Sequence, residues 1–243
     1  MKRLMLTAWI VILTITILPA QRRQEASQNI PLIGHQAPSF SAQSTSGLLN
    51  FPGDFGDSWK ILFAHPRDFT PVCSSEILEL AHAQDEFSKL GARLVVLSTD
   101  NIDQHHSYKA ALEEIDFKGK SQVKINFPLV ADNTYAIARS YGMIDGTDPG
   151  KSIRGVFFID PNNRIQAFYF YPNTVGRNTE EIKRTLIALQ ASQKNERYAI
   201  PANWQPGEKV MVTYMTEEEE AQVGKPNSRV SRLSWFMLYK SID

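Results

Sequence analysis

The segment HPRDFTPVCSSE, residues 65–76, carries the single cysteine of a 243-residue chain. Cys73 follows Thr-Pro-Val and opens a stretch with helical spacing. Pro71 suits the first turn, where its missing N–H costs nothing. A thiol at that place faces unpaired backbone N–H groups and the positive end of the helix dipole, and both favour the thiolate. Thr70 brings a hydroxyl to the same spot, and His65 and Arg67 lie close in sequence. A thiolate with a hydroxyl donor and backbone N–H groups beside it is a nucleophile. The alternative is a buried cysteine serving as a small hydrophobe; the helix-start position and the flanking Thr and Pro favour chemistry. With no second cysteine there is no internal disulfide, so the hydrophobic core alone must hold the fold.

The elements around this segment read as an α/β pattern. WKILFAH (59–65) is a short apolar run, a buried strand. The next stretch, 73–91, is a helix with Ile77, Leu80, Ala81, Phe87 and Leu90 at helical spacing and Gly91 as its stop. ARLVVLSTD is a second buried strand, residues 103–117 a helix, and INFPLVAD holds a third strand. A short helix ends at Gly142. IRGVFFID and RIQAFYFY, joined by PNN, form a hairpin, and 178–193 is a helix capped by Asn178 or Thr179. Upstream, residues 29–47 have strand or hairpin character. Strands that alternate with helices and finish in a hairpin predict a central mixed β-sheet flanked by helices.

Composition sets the outer bounds. The chain is 42% hydrophobic with a formal net charge of zero, an ordinary globular composition that argues against a charge-driven nucleic-acid binder. Met1–Arg3 is basic, Leu4–Leu18 is nearly all apolar, and Pro19-Ala20 precedes a polar run, so residues 1–20 read as a signal peptide, or alternatively an uncleaved anchor. Residues 21–30 read as a linker, 31–193 as the main domain and 194–243 as a C-terminal extension. The expected address is therefore an exported one, periplasm or secretory pathway.

HPRDFTPVCSSE also resembles the active-site loop of the peroxiredoxins, whose P-x-x-x-T-x-x-C pattern falls on Pro66, Thr70 and Cys73. GDSWKILFAHPRDFTPVC, SIRGVFFIDPNNRI, YPNTVGRN and PANWQPGEKVMV are similar to the one-cysteine, peroxiredoxin-6 subfamily, over roughly residues 30–225. The resemblance implies a thioredoxin-like fold and a peroxidase for hydrogen peroxide and organic hydroperoxides. It implies that the Cys73 thiolate attacks the O–O bond and becomes a sulfenic acid. Thr70 would align the peroxide, Pro66 shield the thiolate and Arg154 stabilise it, with His65, Glu76 and Arg177 in support. It implies no cofactor, a homodimer or higher oligomer joined through the C-terminal arm, and reduction by an external thiol such as glutathione or a thioredoxin-like partner, or by another reductant such as ascorbate. A lone cysteine fits that cycle, and over-oxidation to sulfinic acid is its expected failure.

Some members of that subfamily also carry a phospholipase serine in G-x-S-x-G. Here Ser58 stands in GDSWK with Lys60 at the final glycine, and Pro52 and Asn162 at the places of the histidine and aspartate. A serine without base or acid is a weak nucleophile, so no such activity is expected. His105 and His106 are adjacent, about 100° apart on a helix, a poor metal pair; no metal site is expected. Arg67 with Asp68, and the run Glu217–Glu220, read as solvated charges. Two rival functions remain on sequence grounds: a non-catalytic binding or chaperone-like protein on the same fold, and a thiol hydrolase using His65 as base.

Overall fold

The computed structural model of the chain describes residues 30–148 and 150–242. The expected signal peptide, and the linker except for Ile30, lie outside them. Strand β3 (Trp59–Ala64) is buried at every position, as an unbroken apolar run should be when both faces of a sheet are covered. Its side chains divide with period two. Ile61 and Phe63 enter one core with Ile77, Leu80, Phe87, Ile182 and Leu186. Leu62 and Ala64 enter the other with Ile137, Ala138 and Tyr141.

The remaining strands of this sheet are β1 (Phe40–Ser44), β2 (Gly47–Phe51), β4 (Ala92–Ser98), β5 (Leu129–Ala131), β6 (Arg154–Ile159) and β7 (Ile165–Tyr171). Their order is β2-β1-β5-β4-β3-β6-β7. β3, β4 and β5 run parallel, and β1–β2, β3–β6 and β6–β7 pair antiparallel, so the sheet is mixed. Helices α1 (Pro71–Lys89), α2 (Ile102–Leu112), α3 (Ala136–Ser140) and α4 (Thr179–Gln193) cover it. Asn178 caps α4, its side chain accepting from Glu181 N. The helix expected over 103–117 ends earlier, at Leu112, and the chain then turns through positive φ at Lys118 and Gly119.

This layout brings two separate strand ends together. β3 ends next to His65, and β6, its antiparallel neighbour, begins with Arg154 beside that end, where Ala64 pairs Gly155. Gly155 is needed for close approach: a Cβ there would lie 2.4 Å from Met143 Sδ and 2.9 Å from its Cγ. Met143 is fully buried, so its side chain would have to shift within the core. Gly155→Ala is expected to cost about 1–3 kcal/mol by overpacking, read as a lower urea midpoint with an unchanged slope.

The C-terminal extension is more ordered than its composition suggests. β8 (Tyr198–Ala199), β9 (Val210–Val212), β10 (Val230–Ser234) and β11 (Met237–Lys240) form a second, antiparallel sheet, in the order β10-β11-β9-β8. The acidic run Glu217–Glu220 forms helix α5, and it is not merely a solvated face. Glu219 accepts from Arg197 Nη1 at 2.9 Å and Lys240 Nζ at 2.6 Å, and these cations hold its carboxyl down to about 2. The β10–β11 turn leaves Leu233, Trp235 and Phe236 exposed. Among the described residues no helix is long and apolar enough to cross a membrane.

Candidate active site

Helix α1 starts where the sequence places it. Thr70 is its N-cap in extended conformation, Pro71 opens the first turn and Cys73 sits within that turn. The entry depends on Phe69, a bulky residue held at φ 54° with its ring 5.0 Å from that of Tyr108. A non-glycine residue in this region is strained, and such strain gathers at functional loops. Nothing in the sequence announces it.

Cys73 is fully buried, and the residues expected around it converge on the sulfur. Arg154 Nη1 lies 3.2 Å from Cys73 Sγ and 2.7 Å from Glu76 Oε2. The same guanidinium is anchored by Nε and Nη2, both donating to the Asn173 carbonyl. Glu76 is gripped from its other side by Arg177, through Nε to Oε1 and Nη2 to Oε2, both at 2.9 Å, and through the Arg177 backbone N–H at 2.7 Å. Arg177 Nη1 also donates to the carbonyls of Ala64 and Gly155, tying both strand ends, and its guanidinium carbon lies 3.3 Å from the Phe63 ring centroid. Burial opposes ionisation of Glu76, but Arg177 first and then Arg154 hold its carboxyl below the usual range.

The thiol is tuned in the same way. Burial opposes the thiolate, yet His65 beside it, the Thr70 hydroxyl and the Arg67 backbone together bring Cys73 down to about 6. The expectation of a lowered pKa holds, with His65 as the larger lever among these groups and not the helix terminus alone. Thr70 Oγ1 also lies 3.0 Å from the Arg67 carbonyl. It has one proton, so it serves that oxygen or the sulfur. Burial likewise resists charge on His65, but the thiolate and then Asp68 outweigh it and raise the imidazole above its ordinary value. His65 Nε2 lies 3.4 Å from Asp68 Oδ1, and neither ring nitrogen has a well-formed hydrogen bond. The pair is held by charge.

A cavity of about 310 Å3 opens beside this site, lined by Pro66, Thr70, Val72, Tyr135, Arg154 and Asn173 among others. Pro66, Thr70 and Arg154 line this cavity, and Thr70 and Arg154 also reach the sulfur. All seven residues singled out in the sequence meet here. Asp68 departs from its reading as a solvated charge: it is buried, and only Arg67 is exposed. Lys60 is buried as well, donating to Gly56 O and Asn163 Oδ1, so it fills the place of the missing motif glycine with a structural ammonium.

The chain is similar to known proteins over most of its length. Residues 33–168 match the AhpC/TSA family, and residues 188–224 match the C-terminal domain of 1-Cys peroxiredoxin. A peroxiredoxin of Methanosarcina mazei is 40% identical over 215 residues, 87% of this chain and 98% of that protein. Peroxiredoxin-6 of Bos taurus is 36% identical, with 79% and 87% covered. A structure of the yeast mitochondrial 1-Cys peroxiredoxin, described in terms of thiol resolution via glutathione/thioredoxin systems, superposes with a TM-score of 0.76 at 32% identity, covering 87% of this chain and 100% of that one. The peroxiredoxin 6 of Arenicola marina superposes with a TM-score of 0.75 at 31% identity, covering 86% and 97%.

Proposed function

The chain belongs to the AhpC/TSA family as a one-cysteine peroxiredoxin, a thiol peroxidase on a thioredoxin-like fold, and from that we propose the role of each residue at its site. Cys73 is the peroxidatic nucleophile. Its thiolate attacks the terminal peroxide oxygen, the O–O bond breaks, the sulfur takes up that oxygen with its proton as sulfenic acid, and the other oxygen leaves as hydroxide or alkoxide, which takes a proton from solvent to become water or an alcohol. Arg154 steadies the thiolate and the negative charge that spreads over sulfur and both oxygens. The Thr70 hydroxyl turns from the Arg67 carbonyl to the peroxide, and Pro66 keeps bulk water off the sulfur. His65 holds the thiolate, and Glu76 with Arg177 fixes Arg154. The observation that carries this reading is Arg154 Nη1 at 3.2 Å from a buried sulfur whose pKa falls to about 6.

An external thiol of the glutathione or thioredoxin kind completes the cycle. A homodimer is the expected assembly, and the exposed Trp235 and Phe236 supply apolar surface for it. Export, with residues 1–20 as a removable leader, rests on their charge and hydropathy pattern. Protein recovered from the host should begin near Gln21 and sediment as a dimer. A chain beginning at Met1 would exclude cleavage, and a monomer mass would exclude the dimer.

The central test adds one equivalent of hydrogen peroxide to the reduced protein. Rapid consumption is expected, with one sulfenic-acid adduct on Cys73 that Cys73→Ser lacks. Because the thiolate is the reactive form, the rate should climb with pH through about 6 and then level off. Oxidation no faster than that of a free thiol would instead support the binding-protein reading.

A further inference from the structure

We propose that His105, on α2, is a positioning residue of the peroxidatic site that acts on Cys73 through Asp68 and His65. The inference rests on the reading of Cys73 given above. His105 is fully buried, and both of its ring nitrogens face acceptors. Nδ1 lies 2.7 Å from Asp68 Oδ2, and Nε2 lies 3.0 Å from the Val130 carbonyl oxygen. His105 is thereby clamped between the Asp68 carboxyl and the Val130 carbonyl, and it is the partner that fixes Asp68 Oδ2.

Asp68 is the link. One carboxylate oxygen accepts from His105, and the other faces His65 Nε2 at 3.4 Å. Its backbone N–H is fixed in turn by Asp100 Oδ2 at 2.7 Å, and that oxygen also accepts from Ser98 Oγ at 2.8 Å. All of these groups are buried. From the sulfur outward, the side chains follow one another as Cys73, His65, Asp68 and His105. The other charged or titratable groups facing this chain are Arg154 on β6, Glu76 on α1, Arg177 ahead of α4, Tyr108 on α2 and Asp100 after β4. None of them replaces the donor that His105 offers to Asp68 Oδ2.

The direction of the effect follows from these contacts. Without His105, Asp68 Oδ2 loses its side-chain partner and the carboxyl is no longer held facing His65 Nε2. A displaced Asp68 no longer favours the His65 imidazolium, and the thiolate is less well supported. The pKa of Cys73 then rises.

The experiment titrates the Cys73 thiolate by ultraviolet absorbance in the full chain, for wild type, His105→Gln, Asp68→Asn and the double variant. A rise of about one unit is expected in each single variant, a tenfold loss of thiolate at acidic pH. The double variant should shift no further, because both changes break one chain. An unshifted midpoint in either folded single variant, or shifts that simply add, would overturn the proposal. The titration reads the thiol whether or not peroxide is consumed. It therefore fails or succeeds separately from the peroxidase assay.

Discussion

Arg154→Met is expected to slow peroxide reduction by about 10²–10³-fold while the chain stays folded, the usual loss when one preorganised donor to a developing negative charge is removed. Methionine fills much of the arginine's volume but offers the sulfur nothing. The Nη1 contact to Cys73 disappears, and with it the one guanidinium that touches sulfur, Glu76 and the Asn173 carbonyl together. Arg154→Lys should recover only part of the loss, since an ammonium is a point donor and cannot keep the bidentate hold on Asn173 while reaching the sulfur. Stopped-flow peroxide consumption over a range of pH separates the two effects. A rate within threefold (about 0.7 kcal/mol) of wild type at every pH would remove Arg154 from the transition state.

Glu76→Gln is expected to be the more damaging change to the fold. Its carboxylate is the shared counter-ion of two buried guanidiniums, at 2.7 Å from Arg154 and 2.9 Å from Arg177. Leaving buried charges without their partner typically costs about 3–5 kcal/mol. For a chain of this length that corresponds to a melting temperature lower by roughly 6–20 °C. Exposed pairs such as Lys151–Asp148 are worth about 0–1 kcal/mol by contrast. The same substitution releases Arg154 and should slow the peroxidase step. A melting temperature unchanged in Glu76→Gln would mean that the two arginines are held by their backbone carbonyl contacts alone.

Much of this was legible in the chain, for identifiable reasons. The apolar run 59–64 and the helical spacing after Cys73 are local patterns, and both elements stand where those patterns put them. Cys73, Thr70 and Pro66 share one short loop. Arg154 lies 81 residues from Cys73, and no local signal distinguishes it from a strand surface charge; family resemblance alone singled it out. Asp68 departs from its reading for a related reason: beside an exposed Arg67, an aspartate reads as solvated. The adjacent His105 and His106 read only as a poor metal pair, with nothing to mark His105 as buried beside Asp68. Only the tertiary fold sends His105 inward and His106 outward and closes the 37-residue gap to Asp68. The capping box that turns a run of four glutamates into helix α5 depends on Thr216 and on cations brought from β11 and from Arg197.

The Arg154–Glu76–Arg177 cluster has a further consequence once electrons are followed around the cycle. In the reduced enzyme, two cations are balanced by Glu76 and the thiolate. A sulfenic acid is neutral, so oxidation strips one anion from a nearly dry pocket and leaves it with an excess positive charge. The oxidised cluster is thus more positive than the reduced one. An incoming thiolate is attracted more strongly once peroxide has been consumed, and added salt should slow the second half-reaction more than the first.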